Sequence, residues 1–366
     1  MTTVDRAQAL AYRVAAHNLH ERLPAGSERE AAAVIGLQDF PPGLAASALA
    51  ARVADADIAQ LTIVYTFRGA AVAVPPADVA VFTVGLAPPD DTAARTLVGT
   101  AVDSLDPVGI AATDALDRVS DAVADALSDG PLERDDFHQA LRERLPDELL
   151  WWCRGCKSHH VHPSLWRATG IRGVLAVTER RGRVTVFGAP PKLRGVKKAP
   201  AELTRRFLRA YGPATQSDLA AWAGIAPSHA RTLLDGIAGE TDEVELDGRS
   251  ALILSSDADR LASPPPASGA RLLPPFDPYL DQRDRATLWP DAAVRKRART
   301  GIGAPGVVLV DGDVAGLWRP ERKGKRLVVN VEPLTKAARK AAAALEAEAQ
   351  VLAPHRGAKT GELGWA

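Results

Sequence analysis

The sequence predicts an α+β chain in which a unit of three helices and a β-hairpin recurs in tandem before a small antiparallel β domain. Three observations predict this. A Gly-Pro signature occurs twice in equivalent surroundings, helical patterns are followed by hairpins with good turn chemistry, and beyond a proline-rich linker the pattern changes to strands. The length of 366 residues agrees, since it exceeds one ordinary core and calls for several packed units.

The first unit, over 1–105, has helices expected at 6–22, 28–36 and 44–54, then strands around 63–67 and 72–74. The second, over 106–198, opens with Leu116, Val119, Val123 and Leu127 at helical spacing. Asp129-Gly130-Pro131 stops that helix. Helices at 135–144 and 164–169 follow, then strands at 174–178 and 183–187 joined through Glu179-Arg180-Arg181-Gly182. The third unit, over 199–262, repeats the signature in Tyr211-Gly212-Pro213. In both copies an Asp (Asp136, Asp218) stands six residues after the glycine and an apolar residue comes next. A helix over 215–222 is broken by Gly224, and another starts at Pro227 with Leu233, Leu234 and Ile237 facing inward. Strands at 244–246 and 251–254 are joined by Asp247-Gly248, a dipeptide that accepts positive φ at little cost. Three helices and a hairpin make a winged helix, that is, a helix-turn-helix plus a β-hairpin wing. After the linker Ser263-Pro264-Pro265-Pro266, strands at 271–273, 307–310, 314–318 and 326–331, with a tight turn at Asp311-Gly312, form the β domain of 268–366, closed by a helix over 334–351.

Formal net charge is zero, with 45 Lys and Arg against 45 Asp and Glu, which counts against a simple nucleic-acid binder. The mean hides a gradient. Arg180, Arg181, Arg183, Lys192, Arg194, Lys197, Lys198, Arg205 and Arg206 crowd one stretch, and further basic runs lie at 283–299 and 319–326. The wing tip with Arg180, Arg181 and Arg183 suits phosphate contacts beside or within the minor groove, and Arg231 lies on the second helix of the helix-turn-helix. Double-stranded DNA is therefore the expected partner. The plainer reading is solvated charge that keeps surfaces and a sheet edge soluble.

The first residues lack the order of a signal peptide, and no run approaches the roughly 18 apolar residues that span a bilayer. A cytoplasmic, nucleoid-associated monomer with no membrane partner is expected. Only two cysteines occur. Cys153-x-x-Cys156 with His159, His160 and His162 has the ligand types of a zinc site, Cys153, Cys156 and His160 being the candidates. A structural site usually places its second ligand pair further away, so the expectation is no metal and no cofactor, the histidines being polar side chains near a helix start. No thioredoxin-like context supports redox chemistry. Trp222, Trp289 and Trp318 are read as core, and Asp277 with Arg283, Asp284 and Arg285 either as a structural Arg-Asp network or as a loop contacting DNA.

Several segments resemble the AlkZ and YcaQ winged-helix family of DNA glycosylases. They are Arg209-Ala210-Tyr211-Gly212-Pro213-Ala214-Thr215 with Asp218 and Trp222, Leu272-Leu273-Pro274-Pro275-Phe276-Asp277-Pro278-Tyr279 with Arg283-Asp284-Arg285, Gly36-Leu37-Gln38-Asp39, and Tyr65-Thr66-Phe67-Arg68-Gly69. The resemblance spans most of the chain. It implies tandem winged helices and a β domain around DNA, and removal of alkylated purines, crosslinked ones included. In such enzymes a Gln-x-Gln or Gln-x-Asp motif is thought to orient the water that attacks the anomeric carbon. The alkylated purine is already a good leaving group, so less general-acid help is needed. Here Gln38 keeps the first position, but Phe40 stands where the second polar residue is expected. Val72-Ala73-Val74 likewise lacks a histidine common in that setting.

The reading that follows is a glycosylase with Gln38 positioning water, Asp39 supplying charge stabilisation, and Arg68, Arg180, Arg181, Arg183, Arg231, Arg283 and Arg285 engaging DNA. The alternative is a DNA-binding, regulatory protein that keeps the fold and has lost the water site. A protein-interaction scaffold without nucleic acid is the third class, and it predicts no salt-dependent DNA affinity.

Overall fold

The structure, a computed structural model, describes residues 2–182, 184–298 and 303–366. Its secondary structure is α+β, as the sequence predicts, and the chain forms two compact units. One comprises Met1–Gln60, Arg205–Asp218 and Gly239–Ala366; the other comprises Leu61–Thr204 and Leu219–Ala238.

In the first unit the helix Arg6–Ala16 starts where Asp5 accepts the Gln8 N–H at 2.8 Å. It ends well short of the expected residue 22, because Asn18 turns the chain with φ +54°, a conformation that Asn tolerates better than most residues. Short helices Glu28–Ala33 and Leu44–Ala50 follow. The hairpin of Thr241–Leu246 and Arg249–Leu254 turns through Asp247 and Gly248 at φ +49° and +76°, two successive positive values as in a type I′ turn. Beside it Thr2–Val4 adds a parallel strand that nothing in the local pattern announced.

The β domain of the same unit is a five-stranded sheet, in order Ala270–Leu273, Gly306–Val310, Asp313–Lys323, Arg326–Pro333 and Thr360–Trp365. Asp311 and Gly312, at φ +51° and +84°, make the expected tight turn. The expected antiparallel sheet needs one correction, since Thr360–Trp365 lies parallel to Arg326–Pro333. A parallel pair needs a long crossover, which the helices Lys336–Lys340 and Ala342–His355 supply. Gly361 permits the close packing, because a Cβ there would collide with the Ala349 carbonyl oxygen. Leu272, Val308, Trp318, Val329, Val331, Leu345 and Leu352 fill the core between sheet and helix.

In the second unit the strands Ala71–Val74, Thr62–Tyr65, Ala176–Arg181, Val184–Gly188 and Leu132–Glu133 lie side by side in that order. The two hairpins expected as separate wings thus share one sheet, Ile63 facing Val177 and Val64 facing Ala176. Ala112–Ala126 buries Leu116, Val119 and Val123 on the stripe that the spacing predicts. Phe137 and Leu141 of Arg134–Arg144 pack inward too. Phe137, Phe187, Trp166 and Tyr65 form an aromatic centre, with Phe137 and Phe187 centroids 4.8 Å apart and Tyr65 and Trp166 5.3 Å apart. Trp222, Trp289 and Trp318 are all buried, each in its own unit's core. Among the described residues no helix is long and apolar enough to cross a membrane.

Candidate nucleic-acid interface

Gln38 ends the short strand Leu37–Gln38, and burial alternates through this segment as extended backbone requires. Leu37 and Asp39 are buried, Gln38 is half-buried and Phe40 is 46 % exposed, so Gln38 and Phe40 share the more open side while Asp39 turns inward. Asp39 Oδ1 accepts the Gly43 N–H at 2.8 Å and the Ala45 N–H at 3.3 Å at the start of Leu44–Ala50. A carboxylate suits that position, because the first amides of a helix have no partner inside it and carry partial positive charge. Gly43, at φ +89°, gives the loop its turn into the helix. The loop behind Gln38 is thus tied down, and the Gln38 Nε2 donates a long bond, 3.4 Å, to the Phe40 carbonyl.

Arg68, in the second unit, sits at φ +54°, a left-handed conformation uncommon for a residue with a long side chain. Its Nη1 donates to the Trp222 carbonyl, and its guanidinium lies 5.3 Å from the Phe67 ring centre. Phe67 in turn packs on Trp222 with centroids 4.5 Å apart. Gly224 leaves room for this arrangement, since a Cβ there would meet Arg68 Cγ at 2.6 Å. Arg68 is nevertheless exposed.

The hairpin tip places Arg180 and Arg181 together, as the sequence places them. Arg181 pairs with Glu179 at 3.0 Å and Glu133 at 3.4 Å, and Arg180 donates to Thr185 Oγ1 at 3.3 Å. The pairs of Arg181 are solvent-exposed and worth roughly 0–1 kcal/mol each, so phosphates could replace them at little cost. Arg183 lies outside the described residues. Arg231 is exposed on Pro227–Asp235.

Around Arg283 and Arg285 the structure shows an ion-pair network within the first unit. Asp277 accepts two bonds from Arg52, at 2.7 and 2.8 Å, and both side chains are almost wholly buried. Arg13, also fully buried, donates to the Gly212 carbonyl at 3.2 Å, the Pro213 carbonyl at 2.9 Å and Gln282 Oε1 at 2.7 Å, and pairs with Asp284 at 2.8 Å. Arg283 meets Asp281 at 2.8 Å and is only 13 % exposed; Arg285 is half-buried and begins the helix Arg285–Leu288. The Gly-Pro signature thus serves as an acceptor pair for Arg13. Sequence reasoning missed Arg13 and Arg52. The signal was present, since Arg13 falls on the apolar stripe of Leu10 and Val14 in its helix, just before the cap His17. His17 is buried beside them and its Nε2–H donates to the Ala210 carbonyl at 3.1 Å. Burial, helped by the charge of Arg52, holds its pKa well below the usual value.

The cysteine pair lies on a hairpin of the second unit, Leu150–Cys153 with Ser158–Val161. Both thiols are free. Backbone N–H of Cys156, then the His160 side chain, bring the Cys153 thiol down to about 7, whereas contact with the Cys153 sulfur pushes Cys156 up. His162 lies at the start of the helix Pro163–Ala168, where its side chain accepts the Ser164 N–H as a cap.

Comparison with known proteins agrees with this architecture. The chain has the fold of Streptomyces sahachiroi DNA glycosylase AlkZ, with a TM-score of 0.76 over 100% of both chains and 22% sequence identity. An interstrand DNA cross-link repair glycosylase from Streptomyces sahachiroi is 31% identical over 186 residues, an alignment that covers 47% of this chain and 49% of that relative. The family model described as DNA glycosylase AlkZ-like matches residues 30–355, and the chain belongs to the AlkZ-like family.

Proposed function

We propose that this chain is a monofunctional DNA glycosylase that hydrolyses the N-glycosidic bond of alkylated bases in double-stranded DNA, including bases joined in interstrand crosslinks. The observation that carries the reading is the match over residues 30–355 to the family described as DNA glycosylase AlkZ-like; within that span Gln38 stands where the resemblance implies a water-positioning residue. Gln38 Oε1 accepts a proton-side hydrogen bond from water and Nε2 donates one, so the amide orients a lone pair toward C1′. The water oxygen bonds to C1′ as the glycosidic electron pair returns to the cationic base. The base leaves neutral, the water proton passes to solvent, and an abasic sugar remains. Asp39, held at the helix start, adds a fixed negative charge behind the loop that favours the oxocarbenium-like transition state.

Arg68, Arg180, Arg181, Arg183, Arg231, Arg283 and Arg285 are assigned to the DNA contact. Arg68, Arg181 and Arg231 have the exposure such contacts need. For Arg283, which is tied to Asp281, the role is to shape the loop and contribute positive potential. The tandem winged-helix spans are proposed as the DNA-facing elements of a monomer acting at the nucleoid.

Phe40 favours a second reading, a DNA-binding protein with lost chemistry, because an apolar ring occupies the side shared with Gln38. Release of free base from duplex DNA carrying N7-methylguanine separates the two. Release that disappears in Gln38→Ala and rises in Phe40→Gln supports the glycosylase. Salt-dependent binding with no release, in both the natural chain and Phe40→Gln, overturns it.

A further inference from the structure

We propose that Cys153, Cys156 and His160 form a zinc-class metal site that clips the hairpin Leu150–Cys153/Ser158–Val161, with a solvent molecule as fourth ligand. This departs from the expectation of no metal, and the reason is tertiary. Strand pairing sets His160 opposite Trp151 and Ser158 opposite Cys153, which folds the imidazole back over the turn that holds both sulfurs. The two sulfurs and an imidazole nitrogen lie within 4.8 Å of one another. A tetrahedral ion with Zn–S of about 2.3 Å and Zn–N of about 2.0–2.1 Å brings such ligands to roughly 3.4–3.8 Å, so the cluster closes by about an ångström of side-chain rotation.

The surroundings are already those of a ligand set. The Lys157 N–H donates to the Cys153 carbonyl at 2.8 Å, and Lys157 takes φ +51°, so the chain wraps round the first sulfur in one tight turn. His160 Nδ1 faces the Val161 carbonyl at 2.9 Å. A carbonyl can only accept, so the proton sits on Nδ1 and Nε2 keeps its lone pair for a metal. Two thiolates and an imidazole select zinc over magnesium or calcium, which prefer oxygen.

The hairpin gives the metal a task. Two strands alone are marginally stable, and this pair carries an exposed Trp152 whose ring leans at 58° against His159, with centroids 5.0 Å apart. A bound ion would lock the turn and hold that ring in place.

The test uses the full chain, stripped with chelator and kept reduced, and titrated with Co²⁺. The expected result is a sulfur-to-cobalt charge-transfer band together with the visible bands of a tetrahedral site, saturating at stoichiometric metal and erased by Zn²⁺. Cys153→Ser and Cys156→Ser should each abolish the charge-transfer band seen with stoichiometric Co²⁺, and His160→Gln should weaken Co²⁺ binding by at least about tenfold. Cys156 is exposed, so its replacement leaves the fold intact, and circular dichroism checks this. The proposal is overturned if stoichiometric Co²⁺ gives no charge-transfer band, if the band survives in Cys156→Ser, or if the thiols oxidise to a disulfide in place of taking up metal.

Discussion

Replacing Asp277 with alanine tests whether the Pro274-Pro275-Phe276-Asp277 segment is scaffold. Asp277 and Arg52 are about 0 % and 1 % exposed and joined by two bonds of 2.7 and 2.8 Å, and Asp277 also accepts the Tyr279 N–H at 3.0 Å. Asp277→Ala leaves a buried guanidinium without its counter-charge, donating to the Ala48 carbonyl at 2.8 Å. Breaking one side of a buried pair costs about 3–5 kcal/mol, far more than the pair contributes against an apolar replacement. For a folding unit of 150–250 residues each kcal/mol moves Tm by about 2–4 °C, so the first unit's calorimetric transition should fall by roughly 6–20 °C. Arg52→Met with Asp277→Leu should recover most of that loss, since it removes both charges and keeps the volume. Arg181→Ala, which breaks only exposed pairs, should shift the second unit by less than about 1 kcal/mol. A fall under about 3 °C in Asp277→Ala, or a double variant less stable than either single one, would refute the assignment of Asp277 to the scaffold.

Two further outcomes follow from the same geometry. His17 is neutral in the folded chain and has a lowered pKa, so the unfolded state binds its proton first as pH falls. Stability should therefore be fully present above about pH 6.5 and decline below it by up to about 1.4 kcal/mol per pH unit, and His17→Gln should flatten the decline between pH 6.5 and 5 in urea denaturation. At the hairpin tip, Arg180→Ala should reduce the slope of log affinity for duplex DNA against log salt by about 0.9, the value for one lost phosphate contact. An unchanged slope in both Arg180→Ala and Arg181→Ala would take the tip out of the interface.

Much of this protein was legible in its sequence because the causes are local. The spacing of Leu116, Val119 and Val123 makes one face of a helix whatever lies elsewhere, and Asp247-Gly248 and Asp311-Gly312 turn the chain through their own φ preferences. Gln38 and its apolar neighbour Phe40 were likewise visible as residues two apart in an extended segment.

What only the tertiary structure decided depends on residues far apart in the chain. Sequence spacing cannot say that Arg13 reaches Gly212, Pro213 and Asp284, or that Arg52 closes on Asp277, because no local preference links them. Nor does it show that Ile63 pairs with Val177, or that Thr360–Trp365 joins Arg326–Pro333 in parallel. Strand partners are chosen by burial and by the hydrogen bonds that unpaired edges demand, and these are settled only when the whole sheet assembles. The same holds at the cysteine hairpin, where the residues were plain and their meeting was not: pairing across the two strands, which spacing alone does not dictate, set His160 beside both sulfurs.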